Sequence, residues 1–235
     1  MNPSAIQRSA QSLAKSSTSH GDGVVVIGLG RFGGAVAQSL VSLGHDVLAI
    51  DESAELVQSW ASQLTHVVEA DSSNADVLRR LGVQDFHHVV VGIGTDIEAS
   101  VLTVLALAEL GVPDIWAKAV NTNHGRILER TGAHHVVYPE AAMGERVAHL
   151  VTGKMIDFIE FDDGFAIVKT RTPREAVGKT LAESGVRTKY GVTVVGVKRP
   201  RTDFTYATPE TVIQHGDLLI VSGPTKLVEK FAAIA

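Results

Sequence analysis

The sequence contains no cysteine. That excludes disulfides, thiolate metal sites and a cysteine nucleophile, and it suits a reducing compartment. No apolar run approaches the ~18 residues a helix needs to cross a bilayer. The longest candidate, Val101 to Leu110, is interrupted by Thr103 and Glu109, so the expectation is a chain soluble on its own. Positive charge is not in excess either. Twenty-one Lys and Arg against 26 Asp and Glu give a net charge of −5 and a pI near 6.0, with no electrostatic reason to expect nucleic acid or anionic lipid as a partner. Residues 1–22 are serine-rich and lack the apolar core of a signal peptide, which predicts a disordered lead-in.

Catalytic machinery is also missing from the pattern. A hydride-transferring enzyme needs a second site with a positioned acid or base, and none is legible. His87-His88 and His134-His135 flank or begin expected strands, where adjacent side chains should point to opposite faces and share neither proton nor metal. No H-E-x-x-H spacing occurs. The expectation is a protein that binds and is not an enzyme.

What is present begins at Gly23. Val24-Val25-Val26-Ile27 is a β-branched run suited to a strand buried on both faces, and Gly28-Leu29-Gly30-Arg31-Phe32-Gly33 follows it as G-x-G-x-x-G. Gly28 serves the tight turn, Gly30 lets backbone approach a pyrophosphate, and Gly33 allows close contact of helix and sheet. The apolar face of Ala35, Val36, Leu40, Val41 and Leu43 predicts a helix ending at Gly44, and Val47 to Ile50 a second strand closed by Asp51. An acid there is placed to accept from ribose hydroxyls and to repel a 2′-phosphate. The bland alternative is a glycine turn without a ligand.

The alternation continues. Ser53 caps a helix to about Leu64, and His66 to Ala70 is a strand ended by Asp71. Asn74 to Leu81 is a short helix, His88 to Val91 a strand, and Gly92-Ile93-Gly94-Thr95-Asp96 a second glycine turn with Thr95 as cap of a helix to Leu110. Ile115 to Lys118 and His135 to Val137 are strands around a helix from Thr122 to Thr131. Repeated strand then helix indicates an open parallel sheet covered on both sides. Tyr138-Pro139-Glu140 leads into a helix, Ala141 to Val151, with Met143, Val147 and Leu150 on one stripe. That stripe either invites dimerisation or packs on its own sheet. The rhythm then changes to short strands (156–161, 165–170, 192–198, 217–221) with two short helices, near Lys179 and from Pro224. The fold class expected is α/β, a Rossmann-like doubly wound parallel sheet, with a smaller C-terminal α+β domain beyond a boundary near Gly153.

Two charged residues sharpen the site. Arg31 sits within the glycine fingerprint at the first turn of a helix, where a guanidinium can grip a terminal phosphate. Glu140, leaving the sixth strand, either holds a divalent cation beside a triphosphate or is an acid favoured by the helix dipole.

Taken together, GLGRFGGAVA, GTDIEAS, IWAKAVN, YPEAAMG, RTKYGV and HGDLLIVSGP resemble the cytosolic gating subunits of bacterial Ktr potassium uptake systems. These are regulator-of-potassium-conductance (RCK) proteins related to the Trk peripheral subunit, and the likeness runs from Gly23 to the C-terminus. It implies a nucleotide-binding domain over 23–138, a crossover helix and linker over 139–153 and an RCK C-terminal domain over 154–235. It implies a homo-octameric ring built from dimers beneath a membrane potassium-transporting subunit of the Ktr or Trk type, and so a cytoplasmic position against the inner face of the membrane. ATP and ADP would compete at Gly28, Gly30, Arg31, Phe32 and Gly33, with Asp51 on the ribose, Asp71 near the adenine, Lys118 close to the nucleotide and Glu140 on Mg2+ or another cation beside ATP. Arg187 matches a position that binds cyclic di-AMP in relatives. The rival readings are an NAD(H)-sensing module of the Trk type and an NAD-dependent dehydrogenase.

Overall fold

The structure, a computed structural model, describes residues 23–152, 155–161 and 164–235. The expected lead-in over 1–22 and the expected boundary at Gly153 lie outside the described residues. The chain divides into two compact units, one ending at Glu140 and the other spanning Ala141–Ala235.

The first unit is a six-stranded, all-parallel sheet. Its strands are β1 (Val24–Ile27), β2 (Val47–Asp51), β3 (His66–Glu69), β4 (His88–Val91), β5 (Asp114–Lys118) and β6 (His135–Val137), in the order β3-β2-β1-β4-β5-β6. The helices between them are α1 (Arg31–Ser42), α2 (Ala54–Trp60), α3 (Ala75–Arg80), α4 (Ile97–Glu109) and α5 (Thr122–Thr131). The period-2 alternation of side chains separates two cores. Val25 and Ile27 join Leu48, Ile50, Val89, Val91, Leu107 and Leu128 on one face, while Val24 and Val26 join Val47, Ala49, Ala37 and Leu64 on the other. Burial on both faces is why β1 and β2 are nearly pure aliphatic runs.

Details depart from the sequence reading. Ser53 does cap α2, accepting from the Leu56 N–H, but the helix stops at Trp60, not Leu64, because Leu64 turns inward to the core. The cap of α4 is Asp96, whose carboxylate accepts from the Ala99 N–H at 2.9 Å, rather than Thr95. A 3-10 turn, Val83–Asp85, follows Gly82, which takes a φ of +74° open to glycine. His87 and His88 do not diverge: His87 precedes β4 instead of belonging to it, and the two rings meet edge to face at 4.6 Å.

A long helix, α6 (Pro139–Thr152), leads into the second unit, with Met143 and Val147 open to solvent. There β7 (Met155–Phe161), β8 (Phe165–Arg171), β9 (Thr193–Lys198), β10 (Phe204–Tyr206) and β11 (Leu218–Pro224) form an antiparallel sheet in the order β10-β9-β11-β8-β7. Its core is Phe158, Val168, Val197, Leu219, Val221, Val228 and Phe231. Among the described residues three α-helices follow β8 where two helices were expected, α7 (Leu181–Ser184), α8 (Val186–Tyr190) and α9 (Thr225–Ile234), besides a 3-10 turn, Arg174–Ala176. Gly185, in a left-handed conformation, breaks what read as one helix into α7 and α8.

Candidate functional site

The chain runs outward from β1 to β2 and β3 on one side, and from β4 to β5 and β6 on the other. The switch point therefore lies between β1 and β4, and in doubly wound sheets the ligand crevice opens there, at the carboxyl ends of the strands. A cleft of about 570 Å³ occupies this position.

Its floor is main chain. Gly28 has φ +87° and donates its N–H to the Ile50 carbonyl at 2.8 Å. A Cβ on Gly28 would come within 3.0 Å of the Ile93 nitrogen, and one on Gly92 within 3.0 Å of the Gly28 oxygen and 3.1 Å of the Gly33 Cα. A Cβ on Gly33 would overlap the Gly28 carbonyl oxygen. The three glycines thus bring the two strand exits and the start of α1 into backbone contact. Gly30 differs: nothing lies within 4 Å of a Cβ built there, and its open side faces the cleft it lines. It is the cap of α1, without a side-chain hydrogen bond and with no acid in the first turn. The helix N-terminus therefore presents its N–H groups to an anion uncompensated.

Asp51 fastens one wall. Its Oδ2 accepts from the Leu29 N–H at 2.5 Å and its Oδ1 from the Ser53 N–H at 2.8 Å, and the residue is 9% exposed. A carboxylate has about four lone-pair sites, so two remain for hydroxyl donors. Trp60 Nε1 donates to the Leu29 carbonyl at 3.1 Å, holding the glycine turn from its other end. Asp71 accepts from the N–H and hydroxyl of Ser73, which shapes its own loop at the rim.

The opposite wall is charged. Lys118, at the end of β5, donates to Glu140 Oε1 at 2.7 Å, and its ammonium stands 5.9 Å from the centre of the Phe32 ring. The Lys118 side chain is 12% exposed and that of Glu140 63%. Hydrogen bonding from Lys118, then from its own backbone N–H, holds the Glu140 carboxyl below its usual pKa, with the charges of Lys118 and Arg31 adding to the effect.

The structure brings Gly28, Gly30, Arg31, Phe32, Asp51, Asp71, Lys118 and Glu140 to this cleft. Gly33 lies beneath it, and Arg187 is in the other unit, exposed on α8. Ser72, Thr95 and Val120 also line the cleft, although the sequence reading assigned none of them to the site. Each stands just beyond a strand end, the position that could have marked them. Ser72 is bonded to Thr103 at 2.9 Å.

The residues fit a nucleotide with a phosphate chain: a main-chain floor, a helix N-terminus, two cationic side chains and, at the end of β2, an acid with lone pairs to spare. Among the described residues no group of three His, Asp or Glu is placed to hold a metal. Glu140, mostly exposed at the rim of the cleft, is the carboxylate that would be available to a cation accompanying a phosphate chain.

A second charged cluster sits at the amino ends of the strands. Asp114 accepts from Trp116 Nε1 at 2.9 Å, bonds His88 Nδ1 at 2.8 Å and faces His135 Nε2 at 3.2 Å. Two histidines from separate expected strands, His88 and His135, meet here. Burial raises the Asp114 pKa, but hydrogen bonds from His88 and Trp116, and the charges of His135 and His88, outweigh it and leave it lowered.

Residues 24–139 match the TrkA-N domain and residues 165–235 the TrkA-C domain. The chain is 38% identical over 207 residues to the Ktr system potassium uptake protein A of Bacillus subtilis (strain 168), covering 88% of this chain and 93% of that protein. Among solved structures, the GsuK RCK domain superposes with a TM-score of 0.64 at 21% identity, covering 91% of this chain and 48% of that one. The GsuK channel bound to NAD gives 0.63 at 20%, covering 91% and 39%. The chain thus spans about half or less of each GsuK chain, and these likenesses carry the fold. No helix among the described residues is long and apolar enough to cross a membrane. With this identity across nearly the whole of both sequences, the chain, in which a TrkA-N domain precedes a TrkA-C domain, belongs to the family of Ktr system potassium uptake proteins.

Proposed function

We propose that the protein is a non-enzymatic regulatory subunit of a potassium uptake system, holding ATP or ADP in the first unit and passing the difference to a membrane potassium-transporting subunit of the Ktr or Trk type. The observation that carries this reading is the pairing of a main-chain phosphate cradle with a cationic rim, Arg31 and Lys118, in one cleft. NAD has no terminal phosphate for that rim to grip, whereas a di- or triphosphate does. In this reading Gly28, Gly30, Phe32 and Gly33 admit the phosphates, Asp51 holds the ribose and Asp71 lies on the adenine side. Glu140 carries a divalent cation, and the subunits assemble as a ring of eight built from dimers on the cytoplasmic side of the membrane.

The mechanism is a population shift: a nucleotide favours one assembly shape only as far as it binds that shape more tightly. Arg31 supplies such a difference if its guanidinium meets the outermost phosphate in one arrangement and not in another. Arg31→Ala should narrow the gap between ATP and ADP affinities in calorimetry. Equal losses for both nucleotides would remove Arg31 as the discriminator. Thermal shifts with ATP, ADP, NAD and NADH separate this reading from the NAD(H)-sensing one, because a ligand specific to the folded state raises its melting point in proportion to its binding. A larger shift with dinucleotide than with either adenylate would favour the NAD(H)-sensing module. In the second unit, Arg187 is read as part of a cyclic di-AMP site, and unchanged binding of that ligand by Arg187→Ala would count against it.

A further inference from the structure

We propose that Lys118 and Glu140 form an exchangeable pair: each neutralises the other in the nucleotide-free protein, and nucleotide phosphate with a divalent cation separates them by taking one partner each. The inference rests on the reading of the cleft as an adenine nucleotide site.

Three observations carry it. Lys118 is fixed and nearly enclosed, with its side chain 12% exposed, its ammonium beside Phe32, and Gly94 leaving it room, since a Cβ there would lie 3.0 Å from Nζ. A shielded ammonium is costly to leave unpaired, and among the described residues Glu140 is the one carboxylate bonded to it. Glu140, by contrast, is mostly in water at the first turn of α6 and can change partner at little desolvation cost. Both residues line the cleft together with Arg31, so phosphate oxygens approaching the helix N-terminus arrive at the same ammonium.

The consequence is thermodynamic coupling. Phosphate that takes Lys118 leaves the Glu140 carboxylate facing like charge, and a cation bound by Glu140 and phosphate removes that repulsion. Conversely, a cation alone must compete with the Lys118 ammonium for Glu140. Each ligand therefore lowers the cost of the other, by the same factor in either order.

The test uses the full chain and two variants. Calorimetry with ATP in EDTA should show Glu140→Gln binding about fivefold tighter than wild type, because the lysine is released and the repelling charge removed. The magnesium dependence of ATP affinity should largely vanish in the same variant. Mn2+ titrated alone, read by loss of the free-ion EPR signal, should bind Lys118→Met about fivefold tighter than wild type, while ATP binds that variant more weakly. Cation-free ATP binding by Glu140→Gln that is no tighter than wild type, or Mn2+ binding by Lys118→Met that is no tighter, overturns the exchange even when wild type binds ATP well. Wild type that takes up neither adenylate, with or without magnesium, overturns the underlying reading as well.

Discussion

Replacing Gly33 by alanine sets two physical effects against each other with opposite signs. Gly33 lies inside α1, where helix propensity alone predicts that alanine stabilises by about 1 kcal/mol. Packing predicts the reverse. The new methyl would overlap the Gly28 carbonyl oxygen and stand 3.0 Å from its carbonyl carbon. No rotamer can relieve a clash between a Cβ and main chain. The helix must withdraw by about 1 Å or more, loosening the buried contacts of Val26 and Ala37 beneath it. Overpacking that side chains can absorb costs about 1–3 kcal/mol, so a net loss of about 3 kcal/mol is expected here. Near the melting point that corresponds to roughly 10 °C. Gly30→Ala is the control. Its φ of −61° is open to any residue and nothing lies within 4 Å of the added methyl, so stability should change by less than about 1 kcal/mol. On the proposed reading the methyl projects where phosphate must come close, so nucleotide affinity should fall sharply. Urea unfolding and ligand-dependent melting measure both quantities on both variants. A Gly33→Ala protein as stable as wild type, or a Gly30→Ala protein with unaltered nucleotide affinity, would refute the assignment of separate tasks to these glycines.

Two further predictions concern buried polar groups. His124 is 1% exposed, and burial holds its imidazole below the ordinary pKa. The unfolded chain therefore takes the proton first, and stability should decline as pH falls below about 6.5, by at most about 1.4 kcal/mol per pH unit. The difference between wild type and His124→Gln across pH 7.5 to 5.5 isolates that contribution, and parallel curves would disprove it. Asp51→Asn leaves one acceptor oxygen where Leu29 and Ser53 both donate. A loss of about 1–3 kcal/mol in urea unfolding should accompany weaker binding of every ribose-bearing ligand, and an unchanged unfolding midpoint would show that the two backbone bonds are dispensable.

The first unit was largely legible because its signals are local. Doubly buried strands must be aliphatic runs, and the helices before Gly44, Gly82, Gly111 and Gly132 end where a positive φ is needed. What escaped was either short or non-local. β10 has three exposed residues, too few to show a period, and exists through its pairing with β9. Thr95 and Asp96 are both competent caps, and only the chain path decides between them. Lys118 and Glu140 lie 22 positions apart, and nothing in sequence spacing announces their bond. The meeting of His88, Asp114 and His135 likewise depends on β4, β5 and β6 being neighbours in the sheet.

The glycine junction beneath the cleft has a bearing on how such a site diversifies. Where Gly28, Gly33 and Gly92 touch, there is no side chain to exchange and no vacant volume to fill, so ordinary substitution there damages the scaffold before it alters preference. On the proposed reading, taste for one ligand over another is then written around the perimeter, in residues such as Arg31, Asp71, Lys118 and Glu140. A common base with an editable border lets one architecture be retuned from one small molecule to another without being rebuilt.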